Sequence, residues 1–507
     1  MKSPVPPFRN VALLQRLSPS SRSRIQRVST CCPSSRIVAS PSRVSWTSTR
    51  RSYATTTYVS AADLQFGQPV HETHPHILQA GEITPGITAQ EYADRRAALA
   101  HSLTDGGVAI LHAASLQYKS GAVFHPYRQE SNFLWLTGWN EEDAVAVIER
   151  TGPNLGDYAF RMFVRPKDPR EEQWSGYRNG VEAAEDIFNA DEALSIDQVD
   201  TMLPKMLSSA KLVYTDSART TTATPTNPIS RLVSGSSAPP RTSLSSVVHK
   251  LRAIKSPAEI ANMRLAGQMS GRAITEAMRR PWRREKDLHA FLDYQFISNG
   301  CDGPAYIPVV AGGERANCIH YTVNNSTIDA DTNDLILVDA GGEYGTYITD
   351  ISRTWPASGK FTPAQRDLYQ AVLRVQRTGV ALCRRSANMS LDDIHRITVR
   401  GLIDELRPLG FTSLDTSSIN QLFPHHVGHY IGLDVHDCPG YSRRETLRKG
   451  HCVTIEPGIY VPDDARWPKH FRGMGVRIED SVAVDEESAF VLSTEAVKEV
   501  SDIEALR

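Results

Sequence analysis

Apolar positions along the chain follow two patterns. Between about Gly67 and Ser245, helix-like and strand-like segments alternate. YADRRAALAHSL, at 92 to 103, spaces its apolar residues for one face of a helix, and the GVAILHA that follows is short and unbroken enough for a buried strand. DAVAVIER and YAFRMFVRP read as two more strands, and the turn-forming TGPN between them predicts a hairpin. Residues 216 to 245, rich in Ser, Thr and Pro, predict a surface excursion before a domain boundary. A second pattern begins at Ser256. It can cap a helix, Pro257 suits the first helical position and Glu259 completes a capping box. Ile260, Met263, Ala266, Ala273, Ile274 and Ala277 then recur at helical spacing. The same start returns at Thr362, Pro363, Ala364 and Gln365, so a domain of two related halves is expected. Between the two starts, LILVDA reads as a buried strand ending at Asp339. Gly341 and Gly342 read as a tight turn, with Asp350 on the returning segment.

A length of 507 residues exceeds one ordinary core. The expected division is a disordered presequence over 1–53, an amino-terminal mixed α/β domain over 54–245 and a second domain over 246–507. The class overall is α/β (α+β). Hydrophobic residues make up 40%, as in soluble globular proteins, and no run of 18 apolar residues suggests a transmembrane helix.

Charge changes the picture at the amino terminus. No Asp or Glu precedes Asp63, whereas Lys2 and nine arginines up to Arg51 are basic. An Arg-rich, Ser-rich, acid-free stretch with apolar residues at Val11, Ala12, Leu13, Leu14 and Leu17 reads as a mitochondrial presequence. Without it, 46 basic residues face 57 acidic ones, a net charge of about −11 that argues against a nucleic-acid partner. Cys301, Cys318, Cys383, Cys438 and Cys452 then remain, odd in number and without paired metal spacing, so reduced thiols are expected.

The chemistry is concentrated between Asp339 and Glu479. Five metal-ligand types recur on separate segments: Asp339 in LILVDAGGEYG, Asp350 in YITDISRTWP, His429 in HHVGHYIGLDVHD, Glu456 in VTIEPGIY and Glu479 in GVRIEDSVAV. Four carboxylates brought together without cations would repel until some stayed protonated. Two divalent ions balance them, and one neutral His completes the set. An oxygen-rich set with one imidazole suits Mn²⁺ better than a cysteine zinc site, with Zn²⁺, Co²⁺ or Fe²⁺ as alternatives.

These five segments, in this order, resemble the superfamily of methionine aminopeptidase, prolidase and aminopeptidase P, with its pita-bread fold. The motifs IHY at 319–321, the His425–His429 pair, GLDVHD and RIED resemble aminopeptidase P in particular, as does FHPYRQESNFLWLTGW at 124–139 in the amino-terminal domain. The resemblance implies a pita-bread catalytic domain with pseudo-two-fold halves and a dinuclear-metal aminopeptidase. Asp339 would then chelate one ion, Asp350 and Glu479 would bridge both, and His429 and Glu456 would complete the second. His320, His425 and His436 would contact the scissile carbonyl and oxyanion, or else orient ligands. Glu456 would shuttle the proton, and Arg477 would orient a ligand or contact substrate; His426 receives no role. The aromatics of 124–139 are expected in the core, with Arg128 structural.

Within the family, the mitochondrial intermediate-cleaving peptidases are the nearest expectation. They remove one amino-terminal residue, of the Tyr, Leu or Phe type, from imported proteins after presequence cleavage. RSYA at 51–54 fits such a processing site. The mitochondrial Xaa-Pro aminopeptidases and prolidase are alternatives, and a non-catalytic peptide-binding relative is the alternative of another class. Partners implied are amino termini of imported proteins and a second copy of the chain. The place implied is the matrix, with peripheral attachment to the inner membrane.

Overall fold

The computed structural model describes residues 65–216, 239–412 and 414–507. The presequence expectation and residues 217–238 of the expected excursion lie outside the described residues.

Thr88 opens the first long helix, α1 (Ala89–Ser102), by accepting a hydrogen bond from the Glu91 amide. The elements that follow are β1 (Gly107–His112), α2 (Ser131–Thr137), β2 (Val145–Arg150), β3 (Tyr158–Val164), β4 (Glu192–Ser195), β5 (Leu212–Tyr214), β6 (Arg241–Thr242) and α3 (Ser245–Arg252). Their strands form one mixed sheet in the order β6-β5-β1-β2-β3-β4. The hairpin expected at TGPN joins antiparallel β2 and β3. Phe133, Trp135 and Trp139 are buried, whereas Phe124, on a small outlying hairpin, is 54% exposed.

The second domain repeats one plan. Its first half contains α4 (Pro257–Met278), α5 (Glu285–Ser298), β7 (Val309–Gly312), β8 (Leu335–Asp339), β9 (Gly342–Tyr344), β10 (Tyr347–Ile348) and β11 (Ser352–Pro356). The second contains α6 (Pro363–Leu382), α7 (Leu391–Leu406), β12 (Cys452–Ile455), β13 (Gly458–Tyr460), β14 (Gly475–Arg477) and β15 (Asp480–Val484). Both expected capping boxes form, at Ser256 with Glu259 and at Thr362 with Gln365, and Ser390 with Asp393 makes a third at α7. Strand β8 lies between antiparallel β7 and β11, β12 pairs with β15, and β13 pairs with β14.

Ile336, Val338 and Trp355 pack in one buried cluster with Leu368, Val372, Val453 and Ile455. Each such side chain stabilises the fold by roughly 1.5–3 kcal/mol. The strands that carry acids therefore share their buried face with helix α6.

The expected turn at Gly341 and Gly342 is elsewhere. The β9–β10 reversal uses Gly345 and Thr346, with φ of 55° and 71°, the two left-handed residues that a tight hairpin needs. Gly341 serves close approach instead, since a Cβ there would lie 1.9 Å from the Thr349 carbonyl oxygen. Gly428 in the second half is the counterpart, 1.9 Å from the Thr454 carbonyl oxygen.

Candidate metal centre

Strand ends and their flanks deliver the four acids and the imidazole. Asp339 ends β8, Asp350 lies between β10 and β11, Glu456 follows β12 and Glu479 precedes β15. His429 adjoins Tyr430, which bridges to Val453 of β12. Hydroxyls fix the backbone on either side: Ser481 Oγ accepts from the Asp350 amide at 3.0 Å, and Thr454 Oγ1 from the His429 amide at 3.1 Å. The Glu479 amide donates to the Ser352 carbonyl at 3.0 Å, tying β15 to β11.

These residues converge. One ligand atom each from Asp350, His429 and Glu479 lies within 4.8 Å of the others. His429 Nε2 is 3.6 Å from Asp350 Oδ2 and 3.5 Å from Glu456 Oε1. Asp339 joins through Tyr306, whose hydroxyl reaches Asp339 Oδ1 at 2.7 Å and also contacts Asp350 Oδ1.

The donor set is short of positive charge. Tyr306 has one proton for two carboxylate oxygens. His429 Nδ1 lies 3.0 Å from the Tyr430 carbonyl, a contact that places a proton on Nδ1 and turns Nε2 toward the carboxylates of Asp350 and Glu456, which raise the pKa of the ring against the effect of burial. Glu479 Oε2 accepts from Ser352 Oγ at 2.6 Å, but its buried Oε1 has no partner. Burial and then Asp350, Glu456 and Asp339 push the Glu479 carboxyl well above the usual range. Burial pushes Glu456 up to about 7, and burial with Asp350 pushes Asp339 up to about 6 against the pull of Arg477. Asp350 alone of the four is lowered: burial opposes ionisation there, but the His429 contact outweighs it. An unsatisfied oxygen, an imidazole nitrogen turned into a group of carboxylates and hard oxygen donors suit divalent cations.

Above the acids is a cleft of about 440 Å³ lined by His320, His425, His429, His436, Glu456 and Arg443, among others. His320 is exposed on its wall, and His436 packs edge-on against His429 with ring centroids 4.4 Å apart. His425 is committed elsewhere. Its Nε2 takes the Tyr460 hydroxyl proton at 2.9 Å, because that oxygen already accepts from Arg477 Nη1 at 2.7 Å, and its Nδ1 donates to the His426 carbonyl at 2.9 Å. Those contacts favour the orienting alternative for His425. Burial, helped by Arg477, lowers its pKa to about 3 and keeps it neutral. His426 stacks on His395 at 4.5 Å, and its Nε2 lies 3.3 Å from Asp392 without hydrogen-bond alignment. Arg477 is buried and donates to Asp339 Oδ2 at 2.7 Å and Ser352 Oγ at 2.8 Å. Arg128 ties the domains together, contacting Glu343 at 2.7 Å and the Leu433 carbonyl.

Sequence reasoning missed Tyr306, Ser352 and Tyr460. Tyr460 closes the EPGIY stretch beside Glu456 and could have been suspected from its place. Ser352 lies two residues after Asp350 in YITDISRTWP and could have been suspected likewise, whereas Tyr306 sits in a segment with no signal of its own.

Comparisons agree with this geometry. The model of metallopeptidase family M24 matches residues 261–486, and that of the aminopeptidase P N-terminal domain matches residues 92–214. Intermediate cleaving peptidase 55 of Saccharomyces cerevisiae is 45% identical over 454 residues, covering 87% of this chain and 88% of its own. Human Xaa-Pro aminopeptidase 3 is 38% identical over 463 residues, covering 87% and 90%. The crystal structure of Icp55 from S. cerevisiae lacking its N-terminal 58 residues superposes with a TM-score of 0.78 at 43% identity, covering 84% of this chain and 99% of that one. The five described cysteines are free, and no described helix is long and apolar enough to cross a membrane. The chain therefore belongs to metallopeptidase family M24, a divalent-metal peptide hydrolase on the two-domain aminopeptidase P plan with its pita-bread catalytic fold.

Proposed function

We propose that the chain is a mitochondrial aminopeptidase that removes a single amino-terminal residue, of the Tyr, Leu or Phe type, from imported proteins after presequence cleavage. The observation that carries this reading is the cluster of buried acids with an unpartnered Glu479 oxygen at the floor of a histidine-lined cleft. The 45% identity to an intermediate cleaving peptidase supports the substrate class, and the Arg-rich, acid-free amino terminus supports the compartment.

In this reading Asp339, Asp350, His429, Glu456 and Glu479 hold two divalent ions, Mn²⁺ by preference. Ions bound there supply Lewis-acid chemistry, polarising the scissile carbonyl and making water acidic enough to react near neutral pH. The chain's own residues do the rest. His320 and His436 hydrogen-bond the carbonyl oxygen as it gains charge. Glu456 takes the water proton and gives it to the leaving amine. Arg477 and Tyr460 hold Asp339 and His425 in place, so that the cleft wall does not reorganise during the reaction.

The test uses protein lacking residues 1–53 and loaded with Mn²⁺. Release of the first residue is compared for long peptides beginning Tyr-Ala, Leu-Ser and Ala-Pro. Fast cleavage of the first two supports the proposal. Cleavage of Ala-Pro alone makes this an Xaa-Pro aminopeptidase, the activity named for the 38% identical human relative. Metal analysis should find two ions per chain, and sequencing of the mitochondrial protein should begin at Ala54.

A further inference from the structure

Both aspartates that flank His436 are gripped from outside the catalytic strands. Asp437 is buried, with Oδ1 accepting from Arg252 Nη2 at 2.5 Å and Oδ2 from Lys255 Nζ at 2.8 Å. Asp434 Oδ1 accepts from Ser131 Oγ at 2.6 Å, and its Oδ2 from Arg252 Nη2 at 2.9 Å. Arg252 also donates through Nη1 to Asn132 Oδ1 at 2.5 Å, and Arg128 donates to the Leu433 carbonyl. Arg128, Ser131 and Asn132 lie in or just before α2, in the amino-terminal domain, and Arg252 ends α3, which packs on α1 and α2.

The loop they hold is tight. The Asp437 amide donates to the Tyr430 carbonyl at 2.9 Å, and a Cβ on Gly432 would lie 2.7 Å from Lys255 Cε and 2.8 Å from Asp437 Oδ2. Cys438, next in the chain, is buried in a left-handed conformation with φ of 50°. Such a conformation persists only where the surroundings over-determine it. Ser131 is not needed to cap α2, since the Glu130 side chain accepts from the Phe133 amide. The Asp434 side chain is 38% exposed, so its ion pair contributes little to stability. What the contacts do is fix where His436 stands against His429.

We propose that the amino-terminal domain, with helix α3 packed on it at the boundary, is a positioning element of the catalytic site: Ser131 and Arg252, through Asp434 and Asp437, place His436 for its contact with substrate. The inference rests on the reading of His436 as a substrate contact. A histidine on a loop left to itself would sample geometries well outside the fraction of an ångström that catalysis tolerates.

The experiment measures kcat, KM and melting temperature of the Mn²⁺-loaded chain on a peptide beginning Tyr-Ala. The variants are Ser131→Ala, Asp434→Asn and His436→Ala, with each of the first two also combined with the third. Expected is a loss of about 10-fold in kcat for Ser131→Ala and Asp434→Asn, the scale seen when an orienting partner is removed. KM should be nearly unchanged and the melting temperature within a few degrees. In the His436→Ala background the two losses should vanish, because the residue they place is gone. Losses that persist at full size in that background, or full activity of Ser131→Ala and Asp434→Asn beside an impaired His436→Ala, overturn the positioning role and leave His436 as a substrate contact. A fully active His436→Ala removes that contact and the positioning role with it.

Discussion

Glu479 and Asp480 are neighbours in the chain, both buried, and electrostatically opposite. Asp480 accepts from Arg353 Nη2 at 2.7 Å, Gln376 Nε2 at 2.8 Å and Ser493 Oγ at 2.8 Å, and from Lys498 at 2.5 Å. Burial opposes its ionisation, but Arg353 and Lys498 outweigh that and hold the carboxyl below its usual range. Glu479 has one hydroxyl and an orphaned oxygen, and its carboxyl is pushed well up. One acid is complete within the protein and the other is not. A buried carboxylate whose partners do not add up marks a place where the fold expects something from solution.

Substituting each residue breaks the comparison at a different point. The largest effect is expected on turnover. Glu479→Gln should lower kcat by more than about 1,000-fold, the rate equivalent of the several kcal/mol that Lewis-acid chemistry supplies. Metal analysis of that variant should find fewer than two ions per chain. Full activity would remove Glu479 from the proposed ligand set. Asp480→Asn acts on the fold instead: it leaves buried Arg353 and half-buried Lys498 without their anion, and should cost about 3–5 kcal/mol in denaturant unfolding.

The pH dependence of the metal-free chain sharpens the contrast. A carboxyl raised in the folded state contributes stability that is full below its unfolded pKa and lost as pH rises through the folded one. With Glu456 at about 7, the melting temperature of metal-free protein should fall between about pH 4.5 and 7. Asp480 and Asp437, both lowered by paired cations against the effect of burial, work the other way: their contribution is present above the ordinary carboxylate range and lost as pH falls below about 4. Saturating Mn²⁺ should abolish the upper limb and leave the lower one. The smallest effect is a gain. Metal-free Glu479→Gln should be more stable than the metal-free parent by about 1 kcal/mol at neutral pH, because the folded chain no longer has to hold a crowded carboxyl in its protonated form. A loss of stability there would mean that Glu479 is completed by the protein after all.

The motifs made much of this legible. The capping signals at Ser256 and Thr362 announced α4 and α6, and the order of Asp339, Asp350, His429, Glu456 and Glu479 announced the residues that the fold gathers. The choice between Glu479 and Asp480 was not legible from pattern alone. The strand that opens at Asp480, DSVAV, is buried throughout, so no polar face says which of the two acids enters the site. Gly341 was misread because a close backbone approach and a turn ask for the same residue. Tyr306 and Ser352 act through partners distant in the chain, and a single tyrosine or serine gives no periodicity to detect.

Contacts around the centre run crosswise between the halves. Ser352 of the first half holds Glu479 of the second, Arg477 of the second holds Asp339 of the first, and Ser481 of the second fixes the Asp350 amide. The proposed ligands are divided in the same way, two from one half and three from the other. The centre is therefore a property of a seam and belongs to neither half. An ion seated there would tie residues 339 and 479, 140 positions apart, into one closed loop. Anything that opens the seam would release the ion before the chain unfolds, so the residence time of the metal becomes a clock for how long the two halves stay together.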